Sequence, residues 1–302
     1  MDNISSYATV SAIVIWFLII ATAIVVYLVK KKIYEKSEYY VQTRTPYLSV
    51  RRDKGRIGEY YTYKYLRPLK GFRKYLFNCY IPKDDGTTTE IDVIMLHETG
   101  IYVFESKNYS GWIFGSENQQ MWTQTLPTGK GRSQKSHFLN PIIQNKVHIK
   151  WLQKYLGEEN ELPIYSYIVF SDRCTLKNIS LTSENHYVIN RYNILSAVTA
   201  NSTSVGSILS EEQIVALYNK LYPLTQADEA IKTAHINSIR QRHFENKPIQ
   251  NNETAPPTAN EKICPRCGSK MVLRTATKGT NAGKQFWGCE RFPKCRYLEN
   301  IK

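Results

Sequence analysis

No Lys or Arg precedes Lys30, although the chain of 302 residues carries 40 of them against 26 Asp and Glu. That absence excludes a secretory signal peptide, which needs a basic leading region and a shorter apolar core. Cysteine is sparse: Cys79 and Cys174 stand alone, and the other four of the six fall within the last 40 residues. Such usage excludes a disulfide framework and reads as metal ligation in a reduced compartment. There is no internal repeat, hence no solenoid. "PTGKGRSQKSH" (127–137) is a Gly- and Lys-rich loop by composition, either mobile surface or the lining of a phosphate path, without the spacing of a P-loop. No serine or cysteine nucleophile arrangement is present either, so neither a nucleotide cofactor nor covalent hydrolysis is expected.

What is present begins with charge. The net charge of +14 calls for a polyanionic partner, nucleic acid or an anionic membrane face. Residues 7–29, "YATVSAIVIWFLIIATAIVVYLV", contain no charge and are long enough to cross a bilayer as a helix. Tyr7 and Tyr27 sit near the ends of the run, where amphipathic rings prefer the interface, and Lys30, Lys31 and Lys32 follow it. By the positive-inside rule this is a single-pass anchor with the N-terminus outside and the rest of the chain cytoplasmic.

Residues 30–54 read as a basic connector, helical or irregular, and 55–224 alternate helix and strand signals, predicting a mixed α/β domain. "GRIGEYYTYKYLRPL" predicts a helix and "YLFNCYIP" a strand; "SGWIFGSENQQMWTQ" (110–124) predicts a continuation of the same sheet with Trp112 and Trp122 in its core. Asn140 and Pro141 predict a helix N-cap and first turn ahead of apolar residues at helical spacing. "IYSYIVF" (164–170) predicts a further strand, and Ser210 with Gln213 a capping box. Residues 225–262 read as a polar helix running into a flexible linker, and 263–302 as a separate module.

Between these lies "TEIDVIMLHETGIYVFESKNY" (89–109), two apolar arms joined by a short turn. A two- or four-residue loop places pairs summing to 197 opposite each other, Asp92 against Glu105 and Glu90 against Lys107. The period of two then sets all four on one face. Directly opposed carboxylates repel, and two of them a few ångströms apart are also what Mg²⁺ binds. Lys107 on the same face would steer and help deprotonate a water near the metal, or stabilise charge building on a phosphate. An E-x-K on a solvated strand face is the competing reading; the apolar residues on both faces of these arms favour a covered sheet with a site.

In the C-terminal module Cys264 and Cys267 form a CxxC knuckle, and Cys289 and Cys295 a second pair 21 residues on, a set that suits tetrahedral Zn²⁺. So small a module folds largely on its metal. Between Glu261 and Lys302 ten basic residues face three acidic ones, interleaved with Phe286, Trp287, Phe292 and Tyr297. Bases stack on aromatic faces while cations follow phosphates, so Arg266, Lys284, Arg291, Lys294 and Arg296 with those aromatics form a candidate surface for single-stranded or distorted DNA. The competing reading makes one or two of the aromatics the padding of a tiny core.

"CPRCGSKMVLR", "GKQFWGC" and "FPKCRY" resemble the C-terminal zinc-finger repeat of bacterial type IA topoisomerases, which implies DNA binding without cleavage. "GRIGEYY", "TTEIDVIML", "GIYVFESKNYSG" and "NPIIQNKVH", in this order, resemble the nuclease-related domain, NERD, a relative of the PD-(D/E)xK nuclease fold. The resemblance implies a central mixed sheet flanked by helices, Asp92 and Glu105 as ligands of a catalytic Mg²⁺ or Mn²⁺, and Lys107 as catalytic lysine. It adds Glu59 as a further acidic residue and Gln144 as a helix glutamine near the site. The chain departs from the wider pattern at His148, where RecB-type relatives often have tyrosine, and at Glu90-Ile91, where a Pro-Asp pair is usual. His148 is read as a helix-surface residue. Two functions follow: a membrane-anchored, metal-dependent nuclease, or a non-catalytic tethered nucleic-acid-binding adaptor on a degenerate nuclease fold.

Overall fold

The computed structural model describes residues 2–129, 131–157, 162–183, 185–245, 262–276, 283–292 and 295–300. The chain divides into two compact units, Met1–Asn246 and Lys247–Lys302. In the first, helix α1 (Asp2–Glu35) runs past the lysine cluster before it ends. Its stretch Ile13–Glu35 is long and apolar enough to cross a membrane. The apolar side chains from Ile13 to Val29 are mostly exposed, whereas Tyr34 near the end of the helix is fully buried.

Two short helices, α2 (Glu38–Thr43) and α3 (Tyr47–Arg52), fold back onto that end, and α4 (Lys54–Leu66) follows. Ser37 caps α2 by accepting from the Tyr40 N–H, and Asp53 caps α4 by accepting from those of Gly55 and Arg56. The region expected as a connector is therefore a packed cluster: Tyr34 lies 5.0 Å from Tyr60 and 6.3 Å from Tyr39 between ring centroids.

Strands β1 (Arg73–Pro82), β2 (Thr88–His97) and β3 (Gly100–Lys107) form an antiparallel meander. Three further strands come next, β4 (Gly111–Ser116), β5 (Met121–Gly129) and β6 (Arg132–Leu139), then helix α5 (Pro141–Leu156). β7 (Ile164–Phe170), β8 (Cys174–Ser180) and β9 (His186–Asn190) precede α6 (Ile194–Val205), α7 (Glu211–Leu221) and α8 (Glu229–Glu245). The main sheet has the order β1-β2-β3-β7-β9, with β3, β7 and β9 parallel. One face is covered by a tyrosine-rich core shared with α4 and α6, the other by Leu152 of α5 and Ile214 and Leu221 of α7. This mixed sheet flanked by helices is the expected fold class. β2 and β3 occupy its centre, as their apolar composition requires.

The register meets the expectation as well. His97 pairs with Gly100 and Val93 with Phe104, leaving Glu98 and Thr99 as a two-residue loop. Two expectations fail. Residues 110–124 do not extend the main sheet; they enter a second one, of order β6-β5-β4-β8. Trp122 is buried there, but Trp112 is 43% exposed, because alternation along β4 turns Ile113 inward and its neighbour outward. The segment 127–137 is mostly strand rather than loop: Trp122 pairs with Phe138 and Gly129 with Arg132 across β5 and β6.

Asn140 ties helix α5 to the segment that joins β4 and β5 of the second sheet. Its Oδ1 accepts from the Ile142 N–H as N-cap of α5, while its Nδ2 donates to the carbonyls of Ser116, Glu117 and Gln119. Asn140→Ala should lower stability by about 2–3 kcal/mol; chemical denaturation of the full chain in detergent checks this. Asn140→Asp, which keeps the cap but turns a carboxylate oxygen toward the same three carbonyls in a fully buried position, should cost at least as much.

Candidate active site and metal centre

Alternation breaks at one point in the main sheet. Phe77 and Val93 pack into the tyrosine-rich core, yet Cys79 and Ile91, two residues along on each strand, pack into the opposite one. Asn78 sits at the break with φ 50°, a left-handed conformation that Asn tolerates, and it falls out of the ladder together with Asp92. Both strands switch faces in step, since Tyr80 and Glu90 are again paired beyond it.

The consequence is a correction. Glu90 does not share a face with Lys107. It accepts from the Tyr80 hydroxyl at 2.9 Å and from Asn78 Nδ2 at 3.4 Å, with His235 Nε2 of α8 3.8 Å away. Asn78 Nδ2 also donates to Glu59 Oε2 at 3.1 Å, and Tyr39 donates to the same oxygen at 2.8 Å. Glu59 of α4 is thus buried on the tyrosine side of the sheet.

Glu105 and Lys107 project toward α5. Lys107 Nζ lies 2.6 Å from Glu105 Oε1 and donates to Gln144 Oε1 at 3.0 Å. His148 Nε2 lies 3.2 Å from Glu105 Oε2, close enough for an ion pair but off hydrogen-bonding geometry. Its Nδ1 meets the Thr89 hydroxyl at 2.6 Å. His148 is therefore buried against the site and is no surface residue. The signal was its spacing: four residues after Gln144 it falls on the same helix face. Asp92 Oδ2 accepts from the Ser106 N–H at 2.9 Å, in the break itself.

Electrostatics divides these carboxyls. Burial raises Asp92 well above the ordinary carboxylate range, and the nearby charges of Glu105 and Glu59 raise it further. Burial also raises Glu59, to about 7, against the hydrogen bonds from Tyr39 and Asn78. For Glu105 burial is outweighed by Lys107 and then His148, which hold it down to about 2. Lys107 is held above its ordinary value: burial opposes its charge, but Glu105 and Asp92 outweigh it. Lys107 is thus held as an ammonium, suited to stabilising charge and not to removing a proton.

Do Asp92 and Glu105 fit a hard cation? Glu105 Oε2 is buried without a hydrogen bond, and Asp92 is a carboxyl whose burial and acidic neighbours outweigh what Lys107 and the Ser106 N–H offer it. Both features fit. Among the described residues only the four zinc-type cysteines bring three or more ligand atoms within 4.8 Å of one another. A cation at Asp92 and Glu105 would therefore have two protein ligands, the usual number for Mg²⁺, with waters and phosphate oxygens completing its shell.

In the second unit β10 (Met271–Thr275), β11 (Gln285–Cys289) and β12 (Leu298–Asn300) form an antiparallel sheet. Cys264 and Cys295 Sγ are 3.8 Å apart and Cys267 and Cys289 Sγ 3.4 Å. Tetrahedral zinc with Zn–S bonds of about 2.3 Å requires about 3.8 Å between sulfurs, so the cluster fits a structural Zn²⁺. The N–H and hydroxyl of Ser269 hold Cys267 down to about 6, while desolvation pushes Cys289 up to about 12.

The candidate nucleic-acid residues separate into two groups. Trp287 and Tyr297 pack against the cysteines as core, and Phe286 is half-buried. Phe292 is 58% exposed, with the Arg274 guanidinium 5.9 Å from its ring. Arg266, Lys284, Arg291 and Arg296 are exposed, and Lys294 lies outside the described residues.

Comparison with known proteins falls into the same two parts. Residues 54–171 match the family described as Nuclease-related domain, and residues 261–302 the one described as Topoisomerase DNA binding C4 zinc finger. An uncharacterized protein of Bacillus anthracis is 33% identical over 190 residues, which are 63% of this chain and 85% of that protein. DNA topoisomerase 1 of Methanocaldococcus jannaschii is 42% identical over 41 residues, 14% of this chain and 5% of that protein. No solved structure matches the chain.

The raised Glu59 has a thermodynamic signature. With a folded pKa of about 7 against an ordinary value of 4.5, the folded state binds the proton more tightly, so stability is full below that ordinary value and falls as pH rises toward 7. The loss is on the order of 3 kcal/mol. Unfolding of the full chain in EDTA across this range should show the decline, and Glu59→Gln should make it shallower, leaving the share that the raised Asp92 contributes. For the zinc module, metal analysis should return one zinc per chain. Cys289→Ser should lose the metal together with amide protection in β10 and β11, leaving protection in β2 and β3 unchanged.

Proposed function

Because the chain belongs to the nuclease-related domain family, we propose that it is a membrane-tethered, divalent-metal-dependent phosphodiesterase acting on DNA. One observation carries this reading: a buried carboxylate oxygen, Glu105 Oε2, whose contact with His148 at 3.2 Å falls outside hydrogen-bonding geometry, near a carboxyl, Asp92, raised by burial and then by its acidic neighbours. Such a group costs about 1–3 kcal/mol or more unless something binds it. Mg²⁺ or Mn²⁺ held by Asp92 and Glu105 supplies, when bound, Lewis-acid polarisation of the phosphodiester and its attacking water.

The chain's own residues do the rest. Lys107 places a fixed positive charge beside the ligand carboxylate, where charge builds on a phosphate, and Gln144 holds that ammonium in place. His148, itself fixed by Thr89, orients Glu105 from the other side. Glu59 lies on the far face of the break and acts on Asp92 through its charge, making it a positioning residue. The finger would hold single-stranded DNA through Arg266, Lys284, Arg291 and Arg296, with Phe292 as stacking platform. Two weak sites on one chain reinforce each other. With α1 as the span, the lysines that follow it place both modules on the cytoplasmic side.

The test is cleavage by the full chain in detergent, on single- and double-stranded DNA, with Mg²⁺ or Mn²⁺ and then EDTA. Glu105→Ala and Lys107→Ala should each lower cleavage at least a hundredfold while DNA binding stays intact. Salt-sensitive binding with no cleavage in either metal would leave the adaptor function and sink the enzymatic one.

A further inference from the structure

We propose that α2 and α3 form a collar that binds anionic phospholipid headgroups where α1 leaves the bilayer, with Arg51 and Arg52 as its main charges. The inference rests on α1 being a membrane span, and it assigns a partner to a surface outside the candidate active site.

The geometry begins with how far the body reaches down the helix. Tyr47, the first residue of α3, has its ring 5.3 Å from that of Tyr34 and 5.8 Å from that of Tyr27. Tyr27 and Tyr34 are two turns apart, about 10 Å along the axis. A bilayer core of about 30 Å takes about 20 residues of helix, and here the apolar run ends at Val29. Tyr27 is therefore at the interface, where such rings settle, and Tyr47 stands at the level of Lys30 to Lys32. With α1 as the span, these contacts set the start of α3 at headgroup level.

Its exposed side chains suit that position. Leu48 on α3 is 45% exposed and Val41 on α2 is 50% exposed, apolar groups with no cover in the structure. Arg51 and Arg52, three and four residues beyond Leu48 on α3, and Arg44 at the end of α2 are all exposed. The Arg51 guanidinium lies 5.8 Å from the Tyr47 ring, so its charge stays beside the helix exit. Among the described residues no carboxylate forms an ion pair with any of these three arginines. Apolar tips flanked by unpaired cations match a surface of acyl chains below and phosphates above.

The collar is also tied to the site. Tyr39, which donates to Glu59, lies on α2, and Asn108, next to Lys107, donates to the Lys54 carbonyl at the start of α4. Lipid contacts would hold these elements in one orientation to the membrane.

Hydrogen–deuterium exchange on the full chain in nanodiscs tests the collar. Amides of residues 44–56 should exchange about tenfold more slowly in discs containing phosphatidylglycerol than in phosphatidylcholine alone. R51E/R52E should erase that difference without altering exchange in β2 and β3. R51Q/R52Q, a milder change, should reduce it and guards against a misfolded charge reversal. Equal exchange in the two lipids, with the protein resisting alkaline extraction, overturns the collar and leaves the span intact. Extraction at alkaline pH overturns both. Protection by an oligonucleotide in phosphatidylcholine, with nothing added by phosphatidylglycerol, assigns the arginines to nucleic acid and overturns the lipid claim.

Discussion

A carboxylate in the middle of a covered sheet sets the terms for the rest of the first unit. Glu105 is 2% exposed on β3, with strands on both sides and helices above and below. A buried charge of this kind persists only if it is paired. Lys107 and His148 pair it, and each is in turn held, by Gln144 and Thr89. The helix that brings Gln144 and His148 is started by Asn140, whose side chain also binds the second sheet. The smaller sheet and the α5 cap therefore serve the site although neither contributes a carboxylate.

The second constraint is the break at Asn78 and Asp92. It lets one face of β2 present Glu90 to Glu59 while β3 presents Glu105 to α5. Acidic groups on both faces then act on one aspartate, which burial alone already makes reluctant to ionise. A strand in regular alternation would have put its carboxyls on a single face and closed the other with aliphatic packing. The irregularity is local, one residue pair long, and it lies where the charge is concentrated.

Much of this was readable from the residues. The central strands, their two-residue loop and the pairing of Val93 with Phe104 follow from a period of two and a short even turn. The four cysteines converge because their spacing allows little else. What could not be read was non-local. That β4 pairs with β8 and not with the main sheet depends on a parallel contact some 60 residues away in sequence, and no local pattern reports it. Regular alternation along β2 through Asp92 puts Glu90 on the face of Lys107, and the break there is set with Asn78 of the neighbouring strand, an asparagine inside "YLFNCYIP". His148 was misassigned for the opposite reason, since its helical spacing from Gln144 was available and pointed inward. Trp112 shows the limit of hydrophobicity as a guide: a large ring on the outer face of an edge sheet stays exposed under Lys177.

The account stands on Asp92 and Glu105 being kept for a cation. Titration of the full chain with Mn²⁺, followed by the loss of its free-ion paramagnetic resonance signal, reads this directly and needs no substrate. One Mn²⁺ should bind in the first unit, more tightly as pH rises, because the raised aspartate must ionise to become a ligand. Asp92→Asn and Glu105→Gln should each abolish that site without disturbing the zinc. Mn²⁺ binding that survives both substitutions, or no binding in the native chain, would contradict it and leave the buried charges as a structural ion-pair network.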